Sequence, residues 1–177
     1  MYTDPVKESI SWMRVILVTV LIVLLSRHFL FEPVAVHGES MMPTFEEDDK
    51  VVLAKIYTIE NFDMIVFTAP NDVNFIKRVI GVPGDVISMV DDQLYLNGKA
   101  QVEPYLENNL KTAKQRGMIR LTEDFKEFTV PAESYFVLGD NRLNSTDSRI
   151  LGFISEKSIV GEVKIRIAPF SHMGIVE

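Results

Sequence analysis

Three short segments of this 177-residue chain contain side chains that could break a covalent bond. The first segment, residues 38–44, reads Gly-Glu-Ser-Met-Met-Pro-Thr. Ser40 offers a hydroxyl nucleophile, but a serine attacks efficiently only when a neighbouring base takes its proton. Gly38 lets the backbone approach another group closely, and Pro43 stiffens the exit from the segment. The alternative interpretation is an ordinary loop serine, so the other two segments must decide.

A lysine inside an apolar strand pattern supplies a candidate base. Residues 75–85 read Phe-Ile-Lys-Arg-Val-Ile-Gly-Val-Pro-Gly-Asp. Successive side chains of a strand point to opposite faces, so one of Lys77 and Arg78 faces inward or lies at a sheet edge. Burial disfavours an ammonium and lowers its pKa, which lets a lysine act as a general base at neutral pH. The alternative is an edge strand on which two basic residues prevent aggregation.

A polar, turn-prone segment later in the chain offers supporting groups. Residues 139–149 read Gly-Asp-Asn-Arg-Leu-Asn-Ser-Thr-Asp-Ser-Arg. Polar loops on a rigid scaffold often carry functional sites. Asp147 and Arg149 are two residues apart and could form a supporting ion pair, while Ser145 could exchange a hydrogen bond with a catalytic amine. The alternative is a solvated loop closed by its own Asn and Asp side chains.

The composition excludes several other kinds of chemistry. The chain has no cysteine, which excludes disulfides, thiolate catalysis and cysteine metal sites. Its three histidines, His28, His37 and His172, lack the spacing of a transition-metal site, so we expect no such metal. The net charge is −7, of which residues 1–31 contribute +1 and the remainder −8. An acidic body without a basic stripe argues against nucleic-acid binding.

One strongly apolar segment near the N-terminus predicts a membrane-spanning helix. Residues 15–26 are uncharged, and a helix over residues 12–31 would be about 30 Å long, which matches the hydrocarbon core of a bilayer. Arg14 and Arg27 lie near its ends, where their side chains can reach the headgroups. The positive-inside rule favours a cytoplasmic N-terminus. The alternatives are a cleaved signal peptide, for which no convincing Ala-x-Ala site follows, and a buried core helix.

The remainder of the chain has the pattern of a mainly β domain. Runs rich in valine, isoleucine and phenylalanine are separated by turns, and Asn97-Gly98 is a strong two-residue hairpin signal. The predicted extended segments are 33–37, 50–56, 62–68, 73–80, 86–90, 93–96, 126–130, 135–138 and 159–167. Residues 103–114 are the one helical candidate. We therefore predict an N-terminal transmembrane helix within residues 1–31, followed at 32–177 by a compact, largely antiparallel β-sheet or barrel catalytic domain.

The three segments, in this order behind an apolar anchor, closely resemble those of type I signal peptidases, membrane-bound serine proteases that cleave signal peptides from exported proteins. The matching motifs are Gly-x-Ser-Met-x-Pro-Thr at 38–44, Lys-Arg-Val-Ile-Gly-x-Pro-Gly-Asp at 77–85 and Gly-Asp-Asn-Arg-x-Asn-Ser-x-Asp-Ser-Arg at 139–149. One such motif is weak, but three in the right order are very specific. The length and the single anchor resemble the compact Gram-positive bacterial form.

The resemblance implies a serine–lysine dyad in which Ser40 is the nucleophile and Lys77 is the general base. It also implies supporting residues around the lysine: Ser145, which positions the amine, the pair Asp147 and Arg149, and the structural residues Asp140 and Arg78. The Ser40 backbone amide would hold the oxyanion. Some relatives add a side-chain hydroxyl at the position of Gly38, so the second oxyanion donor is undefined in this chain.

By resemblance, the substrates are signal-peptide-bearing preproteins that bind as an extended strand between residues 34–37 and 74–76. Small pockets would accept alanine-sized side chains, which implies cleavage after Ala-x-Ala. The implied lining residues are Val34, Val36, Met41, Phe45, Phe75 and Ile76. The lipid bilayer is the second expected partner, and neither a cofactor nor nucleic acid is implied. The expected location is the cell membrane, crossed once, with the catalytic domain on the extracytoplasmic side.

Three alternatives are open at this point. A Ser–Lys protease of the self-cleaving repressor type has a similar site, but the anchor and the lack of an N-terminal DNA-binding helix pair argue against it. A Ser–His hydrolase would need His37 or His172, although His37 lies only three residues from Ser40. A membrane-anchored β module that binds peptides without cleaving them is the non-enzyme alternative, and the intact dyad argues against it.

Overall fold

The computed structural model describes residues 5–70 and 72–176, and its first element is a long apolar helix. This helix, α1, runs over Pro5–Phe29 and has 25 residues, which corresponds to about 37 Å. Its stretch Glu8–Leu25 has a mean hydropathy of 2.0, and none of these residues is buried against the rest of the protein. By length and composition α1 is therefore a candidate membrane span, and the core-helix alternative is wrong.

The helix differs from the prediction at both ends. It starts seven residues before the predicted start, at Pro5, because proline suits the first turn of a helix. It ends before Phe31, which begins the first strand instead of completing the helix. Residues 1–4, in which the predicted cytoplasmic segment starts, lie outside the described residues. The side chain of Arg27 lies outside them as well.

The part of the chain that the structure describes contains twelve strands and two further helices. In chain order the strands are β1 (Phe31–Ala35), β2 (Lys50–Ala54), β3 (Met64–Thr68), β4 (Asn74–Gly81), β5 (Val86–Val90), β6 (Gln93–Leu96), β7 (Lys99–Ala100), β8 (Phe125–Thr129), β9 (Ser134–Leu138), β10 (Ile154–Ser155), β11 (Ile159–Ala168) and β12 (Gly174–Ile175). The helices are α2 (Glu107–Gln115) and α3 (Ser148–Leu151). Short 3₁₀ turns occupy Pro104–Leu106, Glu156–Ser158 and Phe170–His172.

The strands form two antiparallel sheets. The larger sheet has the order β1-β2-β11-β3-β4-β9-β10, with β12 paired to β11, and the smaller sheet has the order β7-β6-β5-β8. Every pairing among the described strands is antiparallel. The mainly β, antiparallel prediction is confirmed. Each described strand order ends in two edge strands, so the sheet form of the prediction fits the domain better than the barrel form.

Several boundaries differ from the predicted ones for local reasons. The hairpin at Asn97-Gly98 is confirmed, because both residues adopt the positive φ that such a turn requires, 51° and 74°. The predicted strand at 62–68 begins only at Met64, since Phe62 itself has a φ of 74°. The predicted helix at 103–114 begins with a 3₁₀ turn, and α2 proper follows. Strands β7, β10 and β12 have two residues each, too few to produce a periodic pattern.

Strand β4 lies in the interior of the larger sheet. It pairs with β3 on one side and with β9 on the other. Its residues from Ile76 to Gly81 are all buried, which means that both faces of the sheet are covered there. The edge-strand interpretation of Lys77 and Arg78 is therefore wrong: both side chains are buried, at 1% and 2% exposure, on opposite faces.

Apolar packing attaches the loop that carries Ser40 to the larger sheet. This loop, residues 36–49, is called the serine loop below. Its residues Met41 and Phe45 are fully buried in one core cluster with Leu53 of β2 and Ile76 of β4. Burial of each such side chain contributes about 1.5–3 kcal/mol, so these two residues anchor the loop to the sheet.

We predict that Gly161→Ala destabilises the domain. A Cβ at Gly161 of β11 would lie 2.8 Å from the carbonyl oxygen of Ala54 and 3.1 Å from Cβ of Leu53, so backbone would have to move. Overpacking of this kind costs about 1–3 kcal/mol. Thermal unfolding of the full chain in detergent, followed by circular dichroism, should show a lower Tm. The matched control is Gly174→Ala, where no atom lies within 4 Å of the added Cβ; equal Tm values for the two variants would contradict the prediction.

Candidate active site

Ser40 and Lys77, 37 residues apart in the chain, are in direct contact. Lys77 Nζ donates a hydrogen bond of 2.7 Å to Ser40 Oγ and a second, of 2.9 Å, to the carbonyl oxygen of Ile76. The serine loop brings the hydroxyl to the lysine, and the interior strand β4 holds the lysine in place. When the amine is neutral, the same contact lets the Ser40 O–H donate to the nitrogen lone pair, which is the geometry of a base next to its nucleophile.

The pKa of Lys77 is lowered to about 8, chiefly because burial disfavours the charged ammonium. The carboxylates of Asp147 and Asp140 act in the opposite direction and raise it. The Phe75 ring, whose centroid lies 5.1 Å from Nζ, helps to exclude water from the amine. A substantial fraction of Lys77 is therefore neutral at pH 7 to 8, whereas an exposed lysine would be almost fully charged.

Gly139 allows the loop of residues 139–149 to pack against the serine. A Cβ at Gly139 would lie 2.2 Å from Ser145 Oγ and 2.6 Å from the carbonyl oxygen of Ser40, distances that no side chain tolerates. Ser145 is therefore next to the site, but its buried Oγ has no hydrogen-bond partner among the described residues, including Lys77. The Ser145 hydroxyl and the Asp147 carboxylate likewise do not meet in hydrogen-bond geometry.

Asp147 and Arg149 form the predicted ion pair. Arg149 Nε donates to Asp147 Oδ1 and Arg149 Nη2 to Asp147 Oδ2, each at 2.8 Å. The Gly139 N–H also donates to Oδ2, at 3.0 Å. Burial would raise the pKa of Asp147, but the hydrogen bonds from Arg149 and from Gly139 outweigh burial and hold that pKa below its usual value. Asp147 consequently carries a buried negative charge near the Lys77 amine.

Arg78 and Asp140 form a second, fully buried pair on the opposite face of β4. Arg78 Nε and Nη2 donate to the two carboxylate oxygens of Asp140 at 3.0 and 2.9 Å. Thr44 of the serine loop donates from Oγ1 to Asp140 Oδ2 at 2.5 Å, and the Tyr105 ring stacks 4.0 Å from the guanidinium. One carboxylate thus joins β4, the serine loop and the 139–149 loop.

Two asparagines that the sequence interpretation missed hold the serine loop to its neighbours. Asn141 donates from its backbone N–H to the Ser40 carbonyl and from Nδ2 to the Glu39 carbonyl, each at 3.0 Å. Asn109 of α2 donates from Nδ2 to the Met42 carbonyl at 3.0 Å and to the Asp140 carbonyl at 2.8 Å. Asn141 lies within the third motif and could have been found there. Asn109 could not, because nothing in its local sequence indicates a partner 67 residues away.

Arg142 is a further buried group that the sequence interpretation passed over. Its Nη2 pairs with Glu103 at 2.5 Å, its Nη1 donates to Thr122 Oγ1 at 3.1 Å, and its Nε donates to the Gly139 carbonyl at 3.1 Å. The bond to Gly139 helps to hold the residue that lies between the Ser145 side chain and the Ser40 carbonyl.

Glu47 fixes the backbone just before Ser40. Its Oε2 accepts a hydrogen bond of 2.5 Å from the Gly38 N–H, and its Oε1 lies 3.2 Å from His37 Nδ1. The bond from Gly38 and then the contact with His37 lower the pKa of Glu47. With Asp48, these side chains place possible metal-ligand atoms within 4.8 Å of one another, but all three residues are exposed. His37 thus faces Glu47 while the Ser40 hydroxyl contacts Lys77, which argues against the Ser–His alternative.

A cavity of about 450 Å³, called the groove below, borders Ser40 and lies between residues of β1 and β4. The residues that line it are Val34, Ala35, Val36, His37, Ser40, Val51, Val66, Val73, Asn74, Phe75 and Ile76. Four of the six predicted pocket residues are among them. The other two, Met41 and Phe45, lie in the core cluster that supports the groove and are absent from its lining.

Both walls of the groove are strand edges without a partner strand among the described residues. β1 pairs only with β2. Residues 74–76 of β4 pair only with β3, because the pairing of β4 with β9 starts at Arg78. An extended peptide lying in the groove could therefore bond to backbone on either side.

The chain is similar to known proteins over most of its length. It matches the family model described as "Signal peptidase, peptidase S26" over residues 9–168. It is 45% identical over 171 residues to signal peptidase I S of Bacillus subtilis (strain 168), a match that covers 94% of this chain and 93% of that protein. It is 40% identical over 177 residues to signal peptidase IB of Staphylococcus aureus, covering 93% of this chain and 92% of that protein.

A solved structure agrees with these matches. The crystal structure of a signal peptidase I from Enterococcus faecalis V583 matches this chain with a TM-score of 0.56 and 37% sequence identity. The match covers 60% of this chain and 97% of the chain in the crystal structure. The family resemblance inferred from the three motifs is confirmed. The chain belongs to the signal peptidase family, peptidase S26, and is an enzyme of the serine endopeptidase class.

Proposed function

We propose that this enzyme removes N-terminal signal peptides from exported preproteins with Ser40 as the nucleophile and Lys77 as the general base. The observation that carries the proposal is the 2.7 Å contact between the Ser40 hydroxyl and a lysine that is 1% exposed. A lysine in water is charged at neutral pH and has no lone pair to offer. Burial of Lys77 therefore supplies the base that the serine needs.

The proposed reaction proceeds through an acyl-enzyme. The neutral Lys77 amine takes the Ser40 proton while Oγ attacks the scissile carbonyl carbon, and the resulting ammonium then protonates the departing amine of the mature protein. A water molecule, activated by the same amine, hydrolyses the ester and regenerates Ser40. No other general base is required, because each proton that Lys77 accepts is returned in the same half of the reaction: the Ser40 proton goes to the departing amine, and the proton taken from water goes to Ser40 Oγ.

The Ser40 backbone N–H is the proposed oxyanion donor, since it has no hydrogen-bond partner among the described residues. One such donor is worth about 3 kcal/mol in the transition state. The N–H of Gly38 is not available for the same task because it already donates to Glu47.

Substrates are proposed to bind in the groove as an extra strand. Free backbone edges on β1 and on residues 74–76 of β4 would give affinity without regard to sequence, and the walls would select side chains. Apolar side chains, including Val34, Val36 and Ile76, narrow the groove, which supports a preference for alanine-sized residues on the signal-peptide side of the cleavage site.

α1 is proposed to anchor the enzyme in the cell membrane by a single pass, with residues 32–177 on the extracytoplasmic side. Its apolar surface is exposed along its whole described length and would need lipid to cover it. β1 follows α1 directly, so the groove is tethered close to the bilayer. Signal peptides emerge from the same membrane, and the tether would hold the enzyme beside its substrates.

We predict that Ser40→Ala and Lys77→Ala each lower the cleavage of an Ala-x-Ala junction peptide by about 10²- to 10⁴-fold or more, because each removes one half of the dyad. Cleavage would be measured by mass spectrometry in detergent. The matched controls, Ser171→Ala and Lys99→Ala, remove the same groups from exposed positions and should retain activity. Turnover near the wild-type rate by a folded Lys77→Ala protein would disprove the dyad.

We predict that kcat/KM rises with pH and levels off above about 8, because only neutral Lys77 accepts the Ser40 proton and its pKa is about 8. Asp147 raises that pKa, so Asp147→Asn should move the rising limb to lower pH. Glu127→Gln, which removes a carboxylate from the smaller sheet, should leave the limb in place. An activity that increases on acidification, or a limb that moves to higher pH in Asp147→Asn, would count against Lys77 as the base.

We predict that Ile76→Ala widens the groove and relaxes its size selection. Peptides with valine in place of either alanine of the Ala-x-Ala site should gain about tenfold in kcat/KM relative to the parent peptide, because one or two methyl groups are worth that much in a tight pocket. Val90→Ala, at a half-exposed position of the smaller sheet, is the control. Unchanged selectivity in a folded Ile76→Ala enzyme would mean that the groove does not hold these side chains.

A further inference from the structure

A second cavity, of about 380 Å³, borders the serine loop, and neither the proposed dyad nor the groove uses it. It lies between the serine loop, α2 and the 139–149 loop. The residues that line it are Glu39, Met42, Pro43, Asn109, Thr112, Ala113, Arg116, Leu121, Asn141, Leu143 and Asn144. The second cavity thus contains the residue immediately before Ser40 and the residue two positions after it.

Ser40 separates the second cavity from the groove. Its Oγ contacts Lys77 and borders the groove. Its carbonyl oxygen accepts a hydrogen bond of 3.0 Å from the N–H of Asn141, which lines the second cavity. A polypeptide that is cut at Ser40 must continue beyond the serine in both directions. If the groove holds the segment before the scissile bond, the second cavity is in place to receive the segment after it.

We propose that the second cavity binds the first residues of the mature protein, and that Glu39 selects among them by charge, favouring basic over acidic side chains. This inference rests on the proposed function and adds a specificity determinant to it. The binding partner is therefore the polypeptide segment that follows the cleavage site, and the recognised chemistry is a cationic side chain one or two residues beyond it.

The charges in the second cavity support this selection. Glu39 is exposed and forms no ion pair with any described residue. Its backbone carbonyl is held by Asn141 Nδ2 at 3.0 Å, and its Oε2 accepts a bond of 3.3 Å from Asn144 Nδ2. The carboxylate of Glu39 is thus a charge without an ion-pair partner among the described residues, on the residue next to the nucleophile. Arg116, at the end of α2, is the cationic member of the lining and is also without an ion-pair partner among the described residues. Its charge acts against this selection, but Glu39 is the charged residue that adjoins Ser40 in the chain.

Three junction peptides that differ only at the second residue after the cleavage site, Lys, Gln or Glu, test the proposal. A favourable contact with an exposed carboxylate corresponds to about a two- to fivefold effect. We expect wild-type kcat/KM to be about three- to fivefold higher for the Lys peptide than for the Glu peptide at low ionic strength. The ratio should approach one in Glu39→Gln, invert in Glu39→Lys, and shrink as salt is added.

Glu127→Gln is the matched control, because it removes the same charge from an exposed position on the smaller sheet. It should keep the wild-type ratio. An unchanged ratio in Glu39→Gln would overturn the proposal, and so would an equal loss of the ratio in Glu127→Gln, which would assign the preference to overall charge. The Gln peptide distinguishes failure of the proposed function from failure of the inference. If the wild type does not cleave this peptide, both fail. If the wild type cleaves all three peptides equally, the inference alone fails.

Discussion

The site depends on keeping the amine of one lysine dry within contact distance of a serine hydroxyl. Lys77 can be dry because β4 is an interior strand whose two faces are covered, and because the serine loop closes over its amine. Both conditions depend on residues that are far from Lys77 in the sequence. The flanking strands, the core cluster beneath the serine loop and the packing of the 139–149 loop all serve to hold water away from this single group.

The aspartates of two buried ion pairs counteract the effect of burial on the pKa of Lys77. Asp147 and Asp140 both raise the pKa of Lys77, while desolvation lowers it, and the result is a pKa of about 8. Each aspartate is itself held by an arginine. Buried pairs of this kind contribute little net stability compared with apolar packing, because desolvation offsets their attraction. The Arg78–Asp140 pair also has a geometric role, because it joins the 139–149 loop to β4. Thr44 attaches the serine loop to the same carboxylate.

The same arrangement accounts for the shape of the surface around the site. The strand edges of β1 and of residues 74–76 leave a groove on one side of Ser40, and α2 with the 139–149 loop leaves a second cavity on the other. α1 leads directly into β1, one wall of the groove. The candidate membrane span, the free strand edge of β1 and Ser40 therefore follow one another along residues 5–40.

Much of this could be predicted from the sequence, because the relevant signals are local. The apolar helix, the strand pattern, the hairpin at Asn97-Gly98 and the three motifs are each read from consecutive residues, and together they identified the family, Ser40 and Lys77 as candidates. What the sequence left open was whether the lysine strand is at an edge or inside. Side chains alternate between the two faces in an edge strand and in an interior strand alike, so the sequence pattern does not distinguish them. The pairing of β4 with β3 and with β9 makes it an interior strand.

Tertiary structure alone decided the remaining features. The contacts of Asn109, Arg142 and Glu47 with the site join segments that no local pattern connects, and the assignment of Met41 and Phe45 to the core rather than to the groove lining depends on which strands lie beneath the serine loop. Residue types and their spacing therefore determined which chemistry this protein can carry. The fold determined how dry the Lys77 amine is, because the pKa of a lysine is set by the atoms around it and not by its neighbours in sequence.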